Sequence, residues 1–405
     1  MKQIRRLFLL LIIVVYSSLN ASANYHWTLK SSFPSTGRDF PSGFTIGTNA
    51  YVGQGYYVGN LTNDYWKWDQ TTNSWSQIAP FPGTTQFGCV SFTVGTYGYV
   101  CTGGNLPSLY KETWEYDPSL NAWTQKANFP GSSRYIAVGF SIGQFGYLAT
   151  GYTPGYVRDC YQYDPQNNTW ALKNNFGGSA RVSAVGFALN GKGYIGTGNI
   201  TGGSNVNDFW EYEPSNDTWT QKSDFPGVPR YGASGFSIDS LNLGFVGSGG
   251  DGTNFFRDFY SFDPTNNLWT QIDSIPGVGR RHTASFSIGS SGYVTCGITT
   301  GPNYLNDLWE YAPLPPDAIN ENNISGIEMS LFPNPATSTI SIGDKIKGKN
   351  VTKMRLYNDT GKLLYSIDIK NIADPIDVST LTKGLYFIVF ISKENEKFHS
   401  RFMKE

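Results

Sequence analysis

Five arginines recur at one place along the 405-residue sequence: Arg38, Arg134, Arg181, Arg230 and Arg280, with Gln86 where a sixth would stand. Acidic residues recur in a second set, Asp64, Glu112, Asp159, Asp208, Asp258 and Asp307. A planar guanidinium holds a carboxylate through two parallel N–H donors. Two outcomes are therefore open. The two sets can stitch the fold by pairing with each other or with loop carbonyls, or the arginines can form a positive ring offered to a carboxylate ligand. Different members could do either. Between the sets lie segments rich in aromatics (Tyr56, Tyr57, Tyr110, Tyr152, Tyr156, Phe255, Phe256, Tyr304) interleaved with Asn60, Asn105, Asn199, Asn205, Asn254 and Asn303. Rings cover apolar sugar faces and amides fix hydroxyls, which is the chemistry of carbohydrate or peptide recognition. The same rings could also simply pack the loops. The candidate ligand contacts are the five arginines with Tyr57, Tyr110, Tyr156, Phe255 and Tyr304.

Little else offers chemistry. Three histidines (His26, His282, His399) and four cysteines (Cys89, Cys101, Cys160, Cys296) leave scant material for a metal. No catalytic set, metal site or cofactor is expected. Asp251-Gly252-Thr253-Asn254 lacks the terminal glutamate of a calcium loop and reads as a turn. A net charge of −1 gives no support to a nucleic-acid partner. The cysteines read as free, buried, small apolar residues.

The elements that must position these residues repeat. Tryptophans at 27, 75, 123, 170, 219 and 269 mark steps of 48, 48, 47, 49 and 50 residues, and a fixed period near 50 signals a repeat architecture. Each copy holds four strands. An inner one alternates small and large residues, as in Ile136-Ala137-Val138-Gly139-Phe140. A Gly-Tyr-Val strand follows and ends in glycines. The third alternates aromatic and polar residues, as in Trp210-Glu211-Tyr212. A turn such as Asp117-Pro118-Ser119-Leu120-Asn121 then leads to the tryptophan strand. The glycine pair after the second strand, Tyr-Asp-Pro before a tryptophan, and Phe-Pro-x-x-x-Arg together resemble the kelch repeat of β-propellers. Two departures stand out: Gln86 for arginine, and Gly297-Ile298 for the glycine pair. The resemblance implies an all-β, six-bladed propeller over residues 24–313. Its last blade lacks a fourth strand after Tyr311, so residues 25–31 are expected to close the ring beside 307–311. Closure removes two exposed edges. Six kelch blades and an arginine ring are also similar to the secreted sialic-acid epimerases (mutarotases), in which arginines hold the sugar carboxylate. A copper site of the galactose-oxidase kind would need more histidines than His282.

The termini speak of export. Lys2, Arg5 and Arg6 precede an apolar run from Leu7 to Val15, and Ala21-Ser22-Ala23 supplies a cleavage site. Residues 1–23 thus read as a signal peptide, leaving no membrane span in the mature chain. Residues 314–326 read as a linker. Beyond it, Phe332-Pro333-Asn334-Pro335-Ala336-Thr337, Leu356-Tyr357-Asn358 with Gly361-Lys362, Ile376-Asp377-Val378-Ser379 and Lys404 resemble the carboxy-terminal sorting domain of type IX secretion cargo. That resemblance implies an immunoglobulin-like β-sandwich over residues 327–405. It further implies the type IX machinery as partner, and passage through the periplasm to the outer cell surface or the medium. The expected role is a secreted propeller binding a carbohydrate or protein ligand; a glycan-modifying enzyme or a purely structural surface protein are the alternatives.

Overall fold

The structure is a computed structural model that describes residues 25–301, 303–313, 331–342, 350–358, 363–369, 374–393 and 397–405. The expected signal peptide and linker lie outside the described residues. The chain divides into two units, Tyr25–Pro313 and a carboxy-terminal one.

Besides four short two-stranded sheets, the first unit holds six four-stranded antiparallel ones. Their innermost strands are Ser42–Ile46, Val90–Val94, Val138–Ile142, Val185–Leu189, Ser234–Ile238 and Ala284–Ile288. Each packs against the next, and the last packs against the first, so the sheets form a ring. Five sheets are built from consecutive strands. The sixth takes its outermost strand from the start of the unit, Tyr25–Lys30, paired antiparallel with Leu308–Pro313 so that Trp27 lies opposite Tyr311.

Side-chain size sets how closely the sheets approach. The phenylalanine of five of the six inner strands lies over a glycine on the second strand of the following sheet: Phe44 on Gly98, Phe92 on Gly146, Phe140 on Gly193, Phe187 on Gly244 and Phe236 on Gly292; the sixth, Phe286, shares its core with Ala50 instead. A Cβ at any of these glycines would overlap the ring, so the glycine is a packing requirement. The phenylalanines are almost wholly buried, each contributing roughly 2–3 kcal/mol. At the outer edge the periodic tryptophans clamp neighbours together. The indole N–H of Trp75, Trp123, Trp170, Trp219 and Trp269 donates to the carbonyl of Ser31, Ala79, Ala127, Asn174 and Ser223, at 2.8–3.3 Å. Trp27 donates to Asp273 at 2.9 Å and so makes the same clamp across the closure.

The carboxy-terminal unit has two sheets. One holds Leu331–Phe332, Thr339–Ile342 and Ile376–Asp377; the other holds Val351–Asn358, Leu363–Asp368, Gly384–Ser392 and Lys397–Lys404. Ile340 and Ile376 from the first meet Met354, Leu356, Ile388, Phe390 and Phe402 from the second in one core. Asn334 ties the segment to the last strand: its carboxamide oxygen accepts from the Met403 N–H at 2.9 Å, and its amino group donates to the Arg401 carbonyl at 3.3 Å. Strands Val351–Asn358 and Leu363–Asp368 pair as an antiparallel hairpin; the turn expected between them lies outside the described residues.

Candidate functional site

All five recurring arginines are fully buried. Arg134 shows the pattern. Its Nη1 and Nη2 bind both carboxylate oxygens of Asp159, at 2.5 and 2.7 Å; Nη1 also donates to the Thr150 carbonyl at 2.9 Å, and Nε to the Ser132 carbonyl at 3.2 Å. The guanidinium carbon lies 4.7 Å from the centre of the Phe129 ring. Arg38, Arg181, Arg230 and Arg280 make the same bidentate grip on Asp64, Asp208, Asp258 and Asp307. Burial alone would raise the Asp64 carboxyl, but hydrogen bonds from Arg38 and its charge outweigh that and hold it down at about 2. Asp208 and Asp307 are lowered by the same opposition of burial and their arginines. The arginines therefore lie inside the wall. With no exposed surface and both Nη atoms given to carboxylates and carbonyls, they do not line a ligand surface, in contrast to the positive ring open from sequence.

What surrounds the axis is the segment that follows each arginine. Two residues on, Phe40, Gly88, Ile136, Ser183, Gly232 and His282 all have φ between 49° and 63°. In this left-handed conformation their amides link sheet to sheet: Phe40 N–H to His282 O, Ile136 to Gly88, Ser183 to Ile136, Gly232 to Ser183 and His282 to Gly232. Phe40 stacks on the His282 ring at 3.6 Å. His282 Nδ1 lies 3.0 Å from Asp39 Oδ1, while its Nε2 is buried with no partner. Burial lowers the His282 pKa, Asp39 opposes the shift, and the nearby Arg281 charge adds to it. Arg281 differs from the other arginines. Its guanidinium lies over the Tyr231 and Phe255 rings, at 4.9 and 5.1 Å, and donates to the Tyr231 hydroxyl. Among the described residues no carboxylate pairs with it.

The loops between second and third strands, with the residues after two of the arginine positions, carry a chain of ring contacts. Tyr57 meets Tyr304 at 5.2 Å, Tyr304 meets Tyr56, Tyr56 meets Phe87, Phe87 meets Tyr135 at 5.5 Å, Tyr135 meets Tyr152, and Tyr152 meets Tyr156. Amides continue the line. Tyr156 donates its hydroxyl to Asn199, Asn199 donates to Asn205, and Asn205 donates to the Asp251 carbonyl. Phe255 then meets Arg281. Of the sequence candidates, Tyr57, Tyr156, Phe255 and Tyr304 join this belt; Tyr110 is half-buried outside its ring contacts. Phe87, Tyr135, Tyr231, Arg281 and the His282–Asp39 pair were not among those candidates. A signal was available: the residue after each arginine position varies (Asp39, Phe87, Tyr135, Val182, Tyr231, Arg281) while the arginine is kept in five of the six.

Beside the belt, Tyr156, Arg158, Asp159, Asn175 and Ser179 line an open cleft of about 550 Å³. Asp251 accepts the backbone N–H groups of Thr253 and Asn254 at 2.8 and 2.6 Å, as a turn does. All four cysteines are free, and burial raises the Cys296 thiol to about 11. Among the described residues no group of three or more His, Cys, Asp or Glu is placed to hold a metal, and no helix is long and apolar enough to cross a membrane.

Residues 330–405 match the family model of the secretion system C-terminal sorting domain. This segment is a type IX sorting domain. The sorting domain supports export of the chain to the cell surface or beyond it, through the type IX machinery. No curated protein matches the chain. Among solved structures, one titled "Structure of YjhT" aligns at a TM-score of 0.58 and 15% identity, covering 69% of this chain and 96% of that one. At that identity the likeness concerns the fold, which is all-β and propeller-like. With 660 solved chains matching, the fold is too widely used to select a function, so the site must do so.

Proposed function

We propose that residues 25–313 form a closed six-bladed kelch-type β-propeller, carried to the cell exterior by its immunoglobulin-like sorting domain. There it binds a carbohydrate or protein ligand on the aromatic face around the axis. The chain of rings from Tyr57 to Tyr156 carries this reading. Rings that only packed a loop would contact their own loop; these touch across four sheets and continue into asparagine amides. An extended surface of π-faces with fixed donors suits a chain of sugar rings or a peptide.

Arg281 favours an acidic group on that ligand. A guanidinium held between two rings without a carboxylate is preorganised for an anion. The same observation supports a second reading, an enzyme acting on acidic sugars in the manner of the sialic-acid epimerases, with the His282–Asp39 pair beside the charge. Burial of His282 weighs against it, since Nε2 is closed off from solvent and packs against Gly232, where a Cβ would lie 2.7 Å from it.

The test is a binding screen of the full chain against neutral and acidic glycans by thermal shift and calorimetry, with Tyr57→Ala, Tyr304→Ala and Arg281→Ala variants. Saturable binding weakened by the tyrosine variants supports the aromatic face, and selective loss of acidic ligands in Arg281→Ala supports the anion contact. Turnover of an acidic sugar would shift the assignment to the enzyme. Binding unchanged in all three variants would remove the site.

A further inference from the structure

The second sheet lacks its arginine yet keeps the surroundings that receive one. In the sister sheets each guanidinium is met by the carbonyl ending the second strand (Gln54, Thr150, Thr197, Ser248, Cys296) and an aspartate, and in four of the five also by the carbonyl two residues before it (Thr36, Ser132, Ser179, Val228). The corresponding residues here are Thr84, Thr102 and Glu112. Gln86 follows the path of the arginine stem. A Cβ on Gly103 would lie 3.0 Å from Gln86 Cδ, just as one on Gly55 would lie 3.3 Å from Arg38 Cδ. Glu112 comes in from the other side. A Cβ on Gly178 or Gly227 would lie 2.6 or 2.7 Å from Nη2 of Arg181 or Arg230; on the equivalent Gly83 it would lie 2.6 Å from Oε2 of Glu112. The shorter amide and the longer acid thus approach the same point from opposite ends.

That point is unusually polar. Gln86 is fully buried, and both its amide atoms lack a partner. Thr113 puts a buried, unpartnered hydroxyl where the other sheets have Tyr65, Cys160, Phe209, Phe259 or Leu308. Buried polar atoms are normally satisfied, so this group calls for a partner.

We propose that this slot of the second sheet binds a hard metal cation, Ca²⁺ or an alkali ion, in the place where five sister sheets hold a guanidinium. The donors are the Glu112 carboxylate, the Gln86 amide oxygen and the Thr102 carbonyl, with the Thr113 hydroxyl beside them. All are oxygens, the ligands such cations prefer. A second guanidinium does not fit, because a carboxylate oxygen of Glu112 already stands where Nη2 would be. A single carboxylate makes the site weak, with a dissociation constant on the order of 10⁻⁴–10⁻³ M, suited to cation levels outside a cell.

The experiment is calorimetric and thermal-shift titration of chelator-treated full chain with Ca²⁺, Na⁺ and K⁺, alongside two variants. Gln86→Arg with Glu112→Asp supplies the sister pair internally; Glu112→Gln removes the charge. Asp251→Asn controls for binding at the Asp251 turn. The expected result is one saturable site for at least one metal ion, kept in Asp251→Asn and lost in both other variants. The arginine variant should melt, without metal, at or above the metal-loaded parent. No saturable stabilisation by any of the three ions overturns the proposal. So does binding that survives in Glu112→Gln, or stabilisation by dilute guanidinium in place of the metals.

Discussion

Asp64 keeps its charge into acid mainly through Arg38, with hydrogen bonds from Trp66 and Ser35 adding to it. Its folded pKa of about 2 lies below the ordinary 3.8, so the pair's contribution is fully present above about pH 4 and is lost as the pH falls towards 2. It is worth roughly 2 kcal/mol. Removing one partner is more severe, since it leaves a buried charge alone. Asp208→Asn should destabilise by about 3–5 kcal/mol in denaturant melts, whereas Asp117→Asn on an exposed turn should change stability by less than about 0.5 kcal/mol. Equal effects at both positions would remove the structural role of the pairs. His282 predicts a loss on the same acid side that begins nearer neutrality. Its pKa is lowered by burial, so the unfolded chain binds a proton first. Stability should therefore decline as the pH drops below about 6.5, and His282→Gln should flatten that decline in pH-dependent melts. The arginine positions were legible in the sequence, and pairing with the acidic set was one of the two outcomes it left open; the turn that follows was not legible. The reversal of the chain happens two residues later, at left-handed positions filled by Phe, Gly, Ile, Ser, Gly and His. Only two of the six are glycine, so nothing in the letters announces a φ that neighbouring sheets impose through their hydrogen bonds.

At the scale of the strand, periodicity did most of the work. Tryptophan spacing exposed the repeat because every indole makes the same hydrogen bond, and a constraint repeated six times leaves a visible period. The glycine pair after the second strand was a looser guide. The first of the two, Gly55, Gly103, Gly151, Gly198, Gly249 or Gly297, has φ of 87–124° in every sheet, a region costly for any residue with a side chain. The second is Tyr56, Gly104, Tyr152, Asn199, Gly250 or Ile298, so Gly297-Ile298 satisfies the backbone fully and is no departure. The glycines under the phenylalanine rings carry a sharper prediction. Gly193→Ala drives a methyl group into Phe140, and overpacking of this kind costs about 1–3 kcal/mol. The same change at Gly143, an exposed turn with nothing within 4 Å of its Cβ, meets only the cost of its left-handed φ, about 1–2 kcal/mol. Paired chemical melts check both. A loss at Gly193 below about 1 kcal/mol would mean that the sheets can spread.

At the scale of the molecule, the ring depends on a strand that is remote in sequence. Tyr25–Lys30 supplies six paired positions to Leu308–Pro313, the Trp27 clamp to Asp273, and an ion pair from Lys30 to Glu310 at 2.7 Å. Trp27 also meets Phe236, Phe259 and Tyr311, so it joins the core between the fifth and sixth sheets. Every other outer strand follows its partner by a short turn and forms whenever its sheet does. This one must be brought back across the whole unit, so the entropy of closing that loop falls on a single seam. Deleting residues 25–30 should leave five sheets with their own four strands and expose Leu308–Pro313 as an unpaired edge beside an uncovered aromatic core. Such an edge recruits other chains. The expected outcome is a concentration-dependent shift to dimers or larger species in size-exclusion chromatography. A peptide of residues 25–30 added in trans should reverse it, whereas the same peptide with Trp27 replaced by alanine should not. Trp75→Ala, by contrast, removes an equivalent indole from a covalently connected sheet and should lower stability without changing the oligomeric state. A deletion variant that stays monomeric and melts like the parent would show that the first and sixth sheets hold the ring shut without the strand.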